Sequence, residues 1–247
     1  MPKTPRAFWL ELKGTIAIHD VIHNNRTQLE QVIHKNKRIP DISKRILTPE
    51  YNVALELVVK ATSNYHNLFS RLFYDMDKFN FKSTPSVSSA YDKHLIEYNN
   101  RFELLKEVNL LSHTMNVVIE MIKIISDEKL PQNVRDISIL LSVLHDYGKN
   151  DKVSKEFRFE KENEGRHDKV SANYAKYTMQ EESLGNNSSI TKELITTVYT
   201  TLRAHHEPIK EKNMFLDLLC TADINARENE LQGILLRQRK DQERKLK

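Results

Sequence analysis

Apolar residues recur at intervals of three and four along most of the chain, and this spacing predicts amphipathic helices rather than strands. An early helix is predicted to begin at Pro49, with Thr48 as its N-cap. Further along the chain, apolar positions with helical spacing predict five more helices. Their expected extents are about 102–125, Asn133 (the N-cap) to Gly148 (the stop), His167 to the turn at 185–188, about 190–206 and about 214–227. Strand-like alternation is weak throughout, so the predicted fold class is all-α.

Charge and turn residues divide the chain into three predicted parts. A stretch rich in Ser, Thr and Pro at 82–90 separates an N-terminal helical region of unknown role (1–90) from a helical domain (91–228) and a basic helical tail (229–247). The formal net charge is +4, and residues 237–247 alone carry six Lys/Arg against two Asp/Glu. A basic tail can contact nucleic acid, although a solvated helix end explains such a run more often.

Composition removes several classes of protein. With only 5 Gly, the chain does not fit a Gly-rich nucleotide-binding fold, and a single Cys excludes a disulfide framework and a cysteine-type zinc site. No stretch is apolar enough to span a bilayer, and the N-terminus has no signal-peptide core. We therefore expect a cytoplasmic protein without a membrane partner.

Histidine and aspartate lie where the helical pattern expects apolar or helix-terminal residues. These are His113, His145, Asp146, His205, His206 and Asp223. Each has an ordinary explanation when taken alone, such as a core histidine, a turn residue, half of a buried ion pair or a solvated helix end. Together they belong to the inner faces or ends of four core helices, an arrangement that indicates a mixed nitrogen and oxygen metal site.

The order of these residues resembles that of the HD superfamily of metal-dependent phosphohydrolases. The matching stretches are LLSHTMNVV (110–118), LSVLHDYGK (141–149), RHDKVSANYA (166–175), RAHHE (203–207) and LLCTADINA (218–226). The resemblance covers about residues 100–228 and implies an HD-domain helical bundle with an enzymatic, hydrolytic activity.

The resemblance also implies a ligand set for two divalent metal ions. The first ion would be held by His113, His145, Asp146 and Asp223. The second would share Asp146 as a bridge and add His167 with His205 or His206. Mixed histidine and carboxylate ligands leave the metal open among Mn, Fe, Ni, Co, Zn and Mg.

The implied chemistry is cleavage of a phosphate ester by a hydroxide that bridges the two ions, with Asp146 and Lys149 as catalytic residues. Lys149 would neutralise a phosphate oxygen, and Arg203 and Arg166 are further phosphate-binding candidates. The expected substrate is a nucleotide or a single-stranded nucleic acid, because a duplex does not reach a deep cavity without distortion.

Departures from the family narrow this interpretation. No Gly-Tyr-Pro element follows His205-His206-Glu207, and Asn109 stands where a glutamate would add a third metal, so two metals are expected and a cyclic di-guanylate substrate is not. His167 and the His-His pair argue against a one-metal enzyme of the deoxynucleotide type. Two alternatives stay open: a DNA-processing nuclease or relaxase-like HD domain, and a catalytically silent HD module for nucleotide binding or scaffolding.

Overall fold

The computed structural model describes residues 47–87, 99–159, 166–185, 189–207 and 213–245. Within these ranges the chain forms nine α-helices and no β-strand, which confirms the all-α class. An isolated bridge pairs Pro85 with Asn109. Residues 1–46 of the predicted N-terminal region and the predicted boundary between residues 90 and 91 lie outside the described ranges.

The helices follow one another with short connections. They are α1 (Pro49–Ala61), α2 (His66–Lys78), α3 (Asn99–Leu105), α4 (Leu110–Asp127), α5 (Gln132–Leu144), α6 (Asp151–Phe157), α7 (His167–Leu184), α8 (Lys192–Ala204) and α9 (Met214–Lys245). Two short 3-10 turns, Phe81–Ser83 and Tyr147–Lys149, complete the described secondary structure. None of the described helices has the length and hydropathy needed to cross a bilayer.

Three of the described helices, α4, α6 and α8, begin after a residue whose side chain caps them. Helix α1 begins as expected, with Thr48 in the N-cap position and Pro49 in the first turn. The single helix predicted over 102–125 is instead two helices, α3 and α4. The side chain of Asn109 accepts a hydrogen bond from the Ser112 backbone N–H at 2.8 Å, so it caps a new helix at Leu110.

Two other helix ends differ from the sequence-based expectation. Helix α5 starts directly after Pro131 and ends at Leu144, so Gly148 lies in the following 3-10 turn and is not the residue that ends the helix. Helix α9 runs without interruption from Met214 to Lys245, across the position at which a separate tail was predicted to begin.

A hydrophobic core joins the early helices to the later ones. Val58 of α1 and Phe69 and Phe73 of α2 are buried in the same cluster as Leu140 of α5 and Val198 of α8. Helix α9 packs against α4 and α5, and α7 packs against α8 and against the 3-10 turn Tyr147–Lys149. Helices α1 and α2 therefore cover the bundle that carries the histidines and aspartates.

The 3-10 turn after α5 is fixed by buried tyrosines. The ring of Tyr147 stacks on that of Tyr174 in α7, with the ring centroids 4.4 Å apart. The Tyr147 hydroxyl donates to the backbone carbonyl of Leu72 in α2 at 2.7 Å, and the Tyr174 hydroxyl donates to Asp75 at 2.8 Å. The chain directly after Asp146 is thereby held from two sides.

Candidate metal centre

Five helices bring the predicted metal ligands together, four of them at an end or in a first turn and α9 from within the helix. His113 lies in the first turn of α4, His167 is the first residue of α7, and Asp223 lies on α9. The pair His145-Asp146 directly follows α5, and the pair His205-His206 directly follows α8. Because a helix ends before each pair, neighbouring side chains can face a common centre.

The seven side chains form two groups, in each of which the ligand atoms all lie within 4.8 Å of one another. The first, called the His113 group, comprises His113, His145 and Asp223. The second, called the His167 group, comprises Asp146, His167, His205 and His206. Each group is able to hold a metal ion by its donor atoms, which are imidazole nitrogens and carboxylate oxygens.

Four ligand atoms converge around the His113 group. The Nε2 atom of His113 lies 3.2 Å from Asp223 Oδ1, 3.2 Å from Asp146 Oδ2 and 3.4 Å from His145 Nε2. One ring nitrogen carries at most one proton, so these three contacts cannot all be hydrogen bonds. Ligands about 2.1 Å from a shared metal lie about 3.0 Å apart in octahedral and about 3.4 Å apart in tetrahedral geometry. The observed spacing therefore fits ligation of one cation.

Imidazoles dominate the His167 group. The Nε2 atoms of His167 and His206 lie 2.7 Å apart, and the ring of His205 lies 4.0 Å from that of His206. His205 Nδ1 donates to the Leu202 carbonyl at 2.6 Å, which leaves Nε2 without a proton when the ring is neutral. The free lone pair of Nε2 is then available to a metal ion.

Asp146 connects the two groups through its two carboxylate oxygens. Its Oδ2 atom lies 3.2 Å from the Nε2 atoms of both His113 and His145. Its Oδ1 atom lies 3.2 Å from His167 Nε2. A carboxylate with one oxygen directed to each group has the geometry of a bridging ligand.

Buried atoms without hydrogen bonds support the fit to metal ions. The buried side-chain atoms of the described residues that lack a hydrogen bond of good geometry include Asp146 Oδ1, Asp223 Oδ1 and His205 Nε2. A buried acceptor without a partner costs about 1–3 kcal/mol, so such atoms are rare in folded proteins. All three are donor atoms for a metal, and together they come from both groups.

Carboxylates control the protonation of the His113 group. Burial and Arg227 act to lower the pKa of His113, but its contacts with the carboxylates of Asp146, Asp223 and Glu230 outweigh them and raise it to about 9. Burial acts to raise the pKa of Asp223, but the close contact with His113 and nearby positive charge hold it well below its usual range. In this group a proton can balance the charge of the carboxylates.

The His167 group has the opposite electrostatics. Burial, followed by the nearby His167 and His145, lowers the pKa of His205 to about 4. Burial, followed by His205 and His167, also lowers the pKa of His206. Imidazoles that stay neutral keep their lone pairs, which is the form that binds a metal.

The three candidate phosphate-binding residues differ in their surroundings. Lys149 is buried, and its Nζ atom lies 2.8 Å from Asp146 Oδ2, so the structure brings this residue into the centre. The Arg166 guanidinium instead donates two hydrogen bonds to Asp168, at 2.9 and 2.6 Å. Arg203 donates to the Tyr199 hydroxyl at 3.2 Å.

Gly148 permits a close approach between the two ligand-bearing segments. A Cβ atom at this position would lie 2.2 Å from the His167 carbonyl oxygen and 2.8 Å from Val170 Cβ. The Gly148 backbone N–H also donates to the Ser171 hydroxyl at 2.8 Å. Only glycine therefore lets the turn after Asp146 pack directly on the first turn of α7.

The sequence-based reasoning missed two charged residues of the site, Arg227 and Glu230. They lie four and seven residues after Asp223, so helical periodicity places all three on one face of α9. Arg227 lies 3.8 Å from Asp146 Oδ2, and Glu230 contacts His113. The periodic signal was present, but the helix was expected to end near residue 227.

Comparisons with protein-family models, with curated proteins and with solved structures find no match to this chain. The protein is thus defined by its geometry, as an all-helical fold with buried groups of histidine and aspartate that could bind metal ions. This arrangement is compatible with an HD-type domain.

Proposed function

We propose that the protein is an HD-type, metal-dependent phosphohydrolase that cleaves a phosphate ester, as a phosphodiesterase, in a nucleotide or a nucleic acid. The observation that carries the proposal is the position of Asp146, whose two oxygens face different groups of imidazoles at 3.2 Å. A buried carboxylate shared by two ligand groups is the arrangement that two-metal hydrolases need, because both ions must act on one phosphoryl group.

Two sets of ligands, which share Asp146, would hold two divalent ions. His113, His145, Asp223 and Asp146 Oδ2 would hold one ion, and Asp146 Oδ1 with His167, His205 and His206 would hold the other. Bound there, the ions would supply positive charge to phosphoryl oxygens and lower the pKa of a water molecule toward neutrality.

The protein's own residues would orient the reactants and balance their charge. The Lys149 ammonium group, next to Asp146, adds a positive charge that can stabilise an anionic phosphoryl group. His113 is fully buried, whereas the Asp223 side chain is 22% exposed and His206 is also partly exposed, so a substrate would reach the centre past these two residues. A substrate phosphate that enters there meets the ligand groups in an environment that excludes most water.

The direct test is hydrolysis of bis-p-nitrophenyl phosphate with Mn²⁺ by the wild type, Asp146→Ala and Asp151→Ala. Asp151 is an exposed aspartate five residues further on and serves as the matched control. We expect activity in the wild type and the control and none above background in Asp146→Ala. Equal rates in all three proteins would contradict a catalytic role for the centre, and binding without turnover would favour the silent-module alternative.

A nucleic-acid substrate has one specific observation in its favour. The last part of α9 is helical and exposed, and it presents Arg237, Arg239, Lys240 and Arg244. Lysine and arginine that contact phosphates make binding fall steeply with salt. Cleavage of circular single-stranded DNA would be compared between the full chain and a chain shortened by residues 237–247. This comparison would distinguish a nuclease from an enzyme that acts on small nucleotides. Loss of cleavage only in the shortened chain, with bis-p-nitrophenyl phosphate hydrolysis retained, is the result expected of a nuclease.

A further inference from the structure

We propose that Glu230 is a positioning residue for the metal ligand His113. It would accept the Nδ1 proton of His113 and so hold the ring with the Nε2 lone pair directed at the metal. This inference rests on the proposed function, since it assigns a role to Glu230 at the same centre. Glu230 would act through His113 and would not itself bind the ion.

The contact between the two residues is short and buried. His113 Nδ1 lies 3.0 Å from Glu230 Oε1, and the two side chains are 0% and 3% exposed. Amide and guanidinium groups already donate to both oxygens of Glu230, which therefore acts as a hydrogen-bond acceptor, so Nδ1 of His113 is the donor in this contact. In the neutral ring, Nε2 is then the unprotonated nitrogen.

Other hydrogen bonds hold Glu230 in place and occupy its oxygens. Asn116 Nδ2 donates to Oε1 at 2.9 Å, and the Arg227 guanidinium donates to Oε2 at 3.2 Å. Arg227 also donates to the hydroxyl and the carbonyl of Ser86, at 2.8 and 3.0 Å. Glu230 is therefore rigid, and both of its oxygens already have donors, which separates it from the metal ligands.

The position of His113 in its helix explains why a side chain is needed for this role. His145 and His205 directly follow α5 and α8, and each donates from Nδ1 to the carbonyl of the residue three positions earlier. Carbonyls in the last turn of a helix lack backbone donors and are free to accept. His113 lies in the first turn of α4, where the carbonyls of the helix point onward along it and accept backbone N–H groups of the next turn. Its acceptor must come from another element, and α9 supplies Glu230.

The expected effect is a selective loss of metal affinity. Removing the outer partner of a metal-binding histidine typically weakens binding about 10–100-fold. Glu230→Ala should therefore weaken the ion at the His113 group by about this factor and leave the ion at the His167 group unchanged. Glu230→Gln keeps an oxygen that can accept the Nδ1 proton, so its loss should be smaller.

The experiment is calorimetric titration of the metal-free full chain with Mn²⁺. The variants are Glu230→Ala, Glu230→Gln and, as the matched control, Glu228→Ala, which changes an exposed glutamate on the same helix. We expect one of two sites to weaken in Glu230→Ala and neither in Glu228→Ala. Wild-type affinity at both sites in Glu230→Ala would overturn the inference, and so would an equal loss in Glu230→Gln and Glu230→Ala.

A spectroscopic readout separates positioning from a general loss of stability. In the Zn²⁺-loaded protein, the Nδ1 proton of His113 should give a resolved ¹H–¹⁵N signal in the wild type and in Glu230→Gln. It should exchange away in Glu230→Ala. If Glu230→Ala does not fold, Glu230→Gln decides alone, because loss of the signal in this variant would overturn the inference.

The failures of the two proposals are distinguishable. A wild-type chain that takes up no metal would end the proposed function. The inference would then be decided by a crystal structure of metal-free Glu230→Ala, in which the His113 ring is expected to turn away from Asp146 and Asp223. An unchanged ring would overturn the positioning role on its own.

Discussion

The two ligand groups are neighbours, yet they solve the problem of buried charge in different ways. The His113 group and the shared Asp146 oxygen combine two imidazoles with two carboxylates. The His167 group combines three imidazoles with the other Asp146 oxygen. The first group therefore has more carboxylate charge, and the second has more imidazole nitrogens.

The difference indicates what holds each group together before a metal binds. In the His113 group a proton can replace the cation, because the carboxylates raise the pKa of His113 to about 9. In the His167 group burial, followed by the nearby rings of His167 and His145, lowers the pKa of His205 to about 4, so a proton is a poor substitute for a cation. We therefore expect the His113 group to be ordered without metal and the His167 group to gain more from an ion.

The largest effect should come from the residue that belongs to both groups. Asp146→Ala removes one oxygen ligand from each site at once, so we expect both ions to be lost. Metal-assisted charge stabilisation is worth several kcal/mol, so the hydrolysis rate should fall about 10³-fold or more. The measurement is the metal content of protein purified without chelator, together with its rate. Two retained ions in Asp146→Ala would contradict the bridge.

Single-ligand variants should separate the groups. His113→Gln should lose the ion of the His113 group, and His206→Gln should lose only that of the His167 group. The measurement is metal stoichiometry by elemental analysis, with thermal unfolding in the presence and absence of Mn²⁺. Because a ligand that binds only the folded state raises stability, the metal-dependent rise in Tm should shrink in both variants and disappear in neither. Loss of both ions in either variant would show one coupled site.

A third change should act on the His167 group through packing. Gly148→Ala places a methyl group within 2.2 Å of the His167 carbonyl oxygen, so α7 must shift away from the turn. Overpacking of this kind costs typically about 1–3 kcal/mol, which urea unfolding would measure. We expect the ion at the His167 group to weaken while that at the His113 group stays. Wild-type stability would show that the contact is relieved without movement. Gly233→Ala is the control, because nothing lies within 4 Å of a Cβ at that position.

Six of the seven candidate ligands have a local signal in the sequence, whereas His167 was assigned from the family resemblance alone. Charge or imidazole on an apolar stripe, as at His113 and Asp223, is costly unless it is satisfied, and pairs at helix ends, as at His145-Asp146, can face one centre. The break between α3 and α4 also had a signal, since Asn109 is a favoured N-cap residue. Apolar residues with helical spacing continue on both sides of Asn109, and for this reason a single helix was predicted.

Other features depend on contacts that no local pattern encodes. Glu230 acts on a residue 117 positions away, and α1 and α2 share a core with helices far along the chain. The need for glycine at 148 likewise comes from the approach of α7, while the sequence offered only the ordinary role of ending a helix. Tertiary proximity determines these roles, so the structure was required to find them.

The smallest effect should come from Tyr147→Phe, which tests how α2 supports the centre. This change removes the hydrogen bond from the Tyr147 hydroxyl to the Leu72 carbonyl and keeps the stacking on Tyr174. A typical hydrogen bond contributes about 0.5–1.5 kcal/mol, so the free energy of unfolding in urea should fall by about that amount.

Tyr147→Phe is informative because its effect on the two metal affinities can be compared. Tyr147 adjoins Asp146, which serves both groups, so any loosening should weaken the two ions to the same small extent, in contrast to the one-sided effect of Gly148→Ala. Tyr177→Phe makes the same chemical change ten residues after His167 and should leave both affinities as they are. An effect of Tyr147→Phe on one ion alone would mean that the two oxygens of Asp146 are positioned independently, and the bridge would then not be the rigid link between the groups.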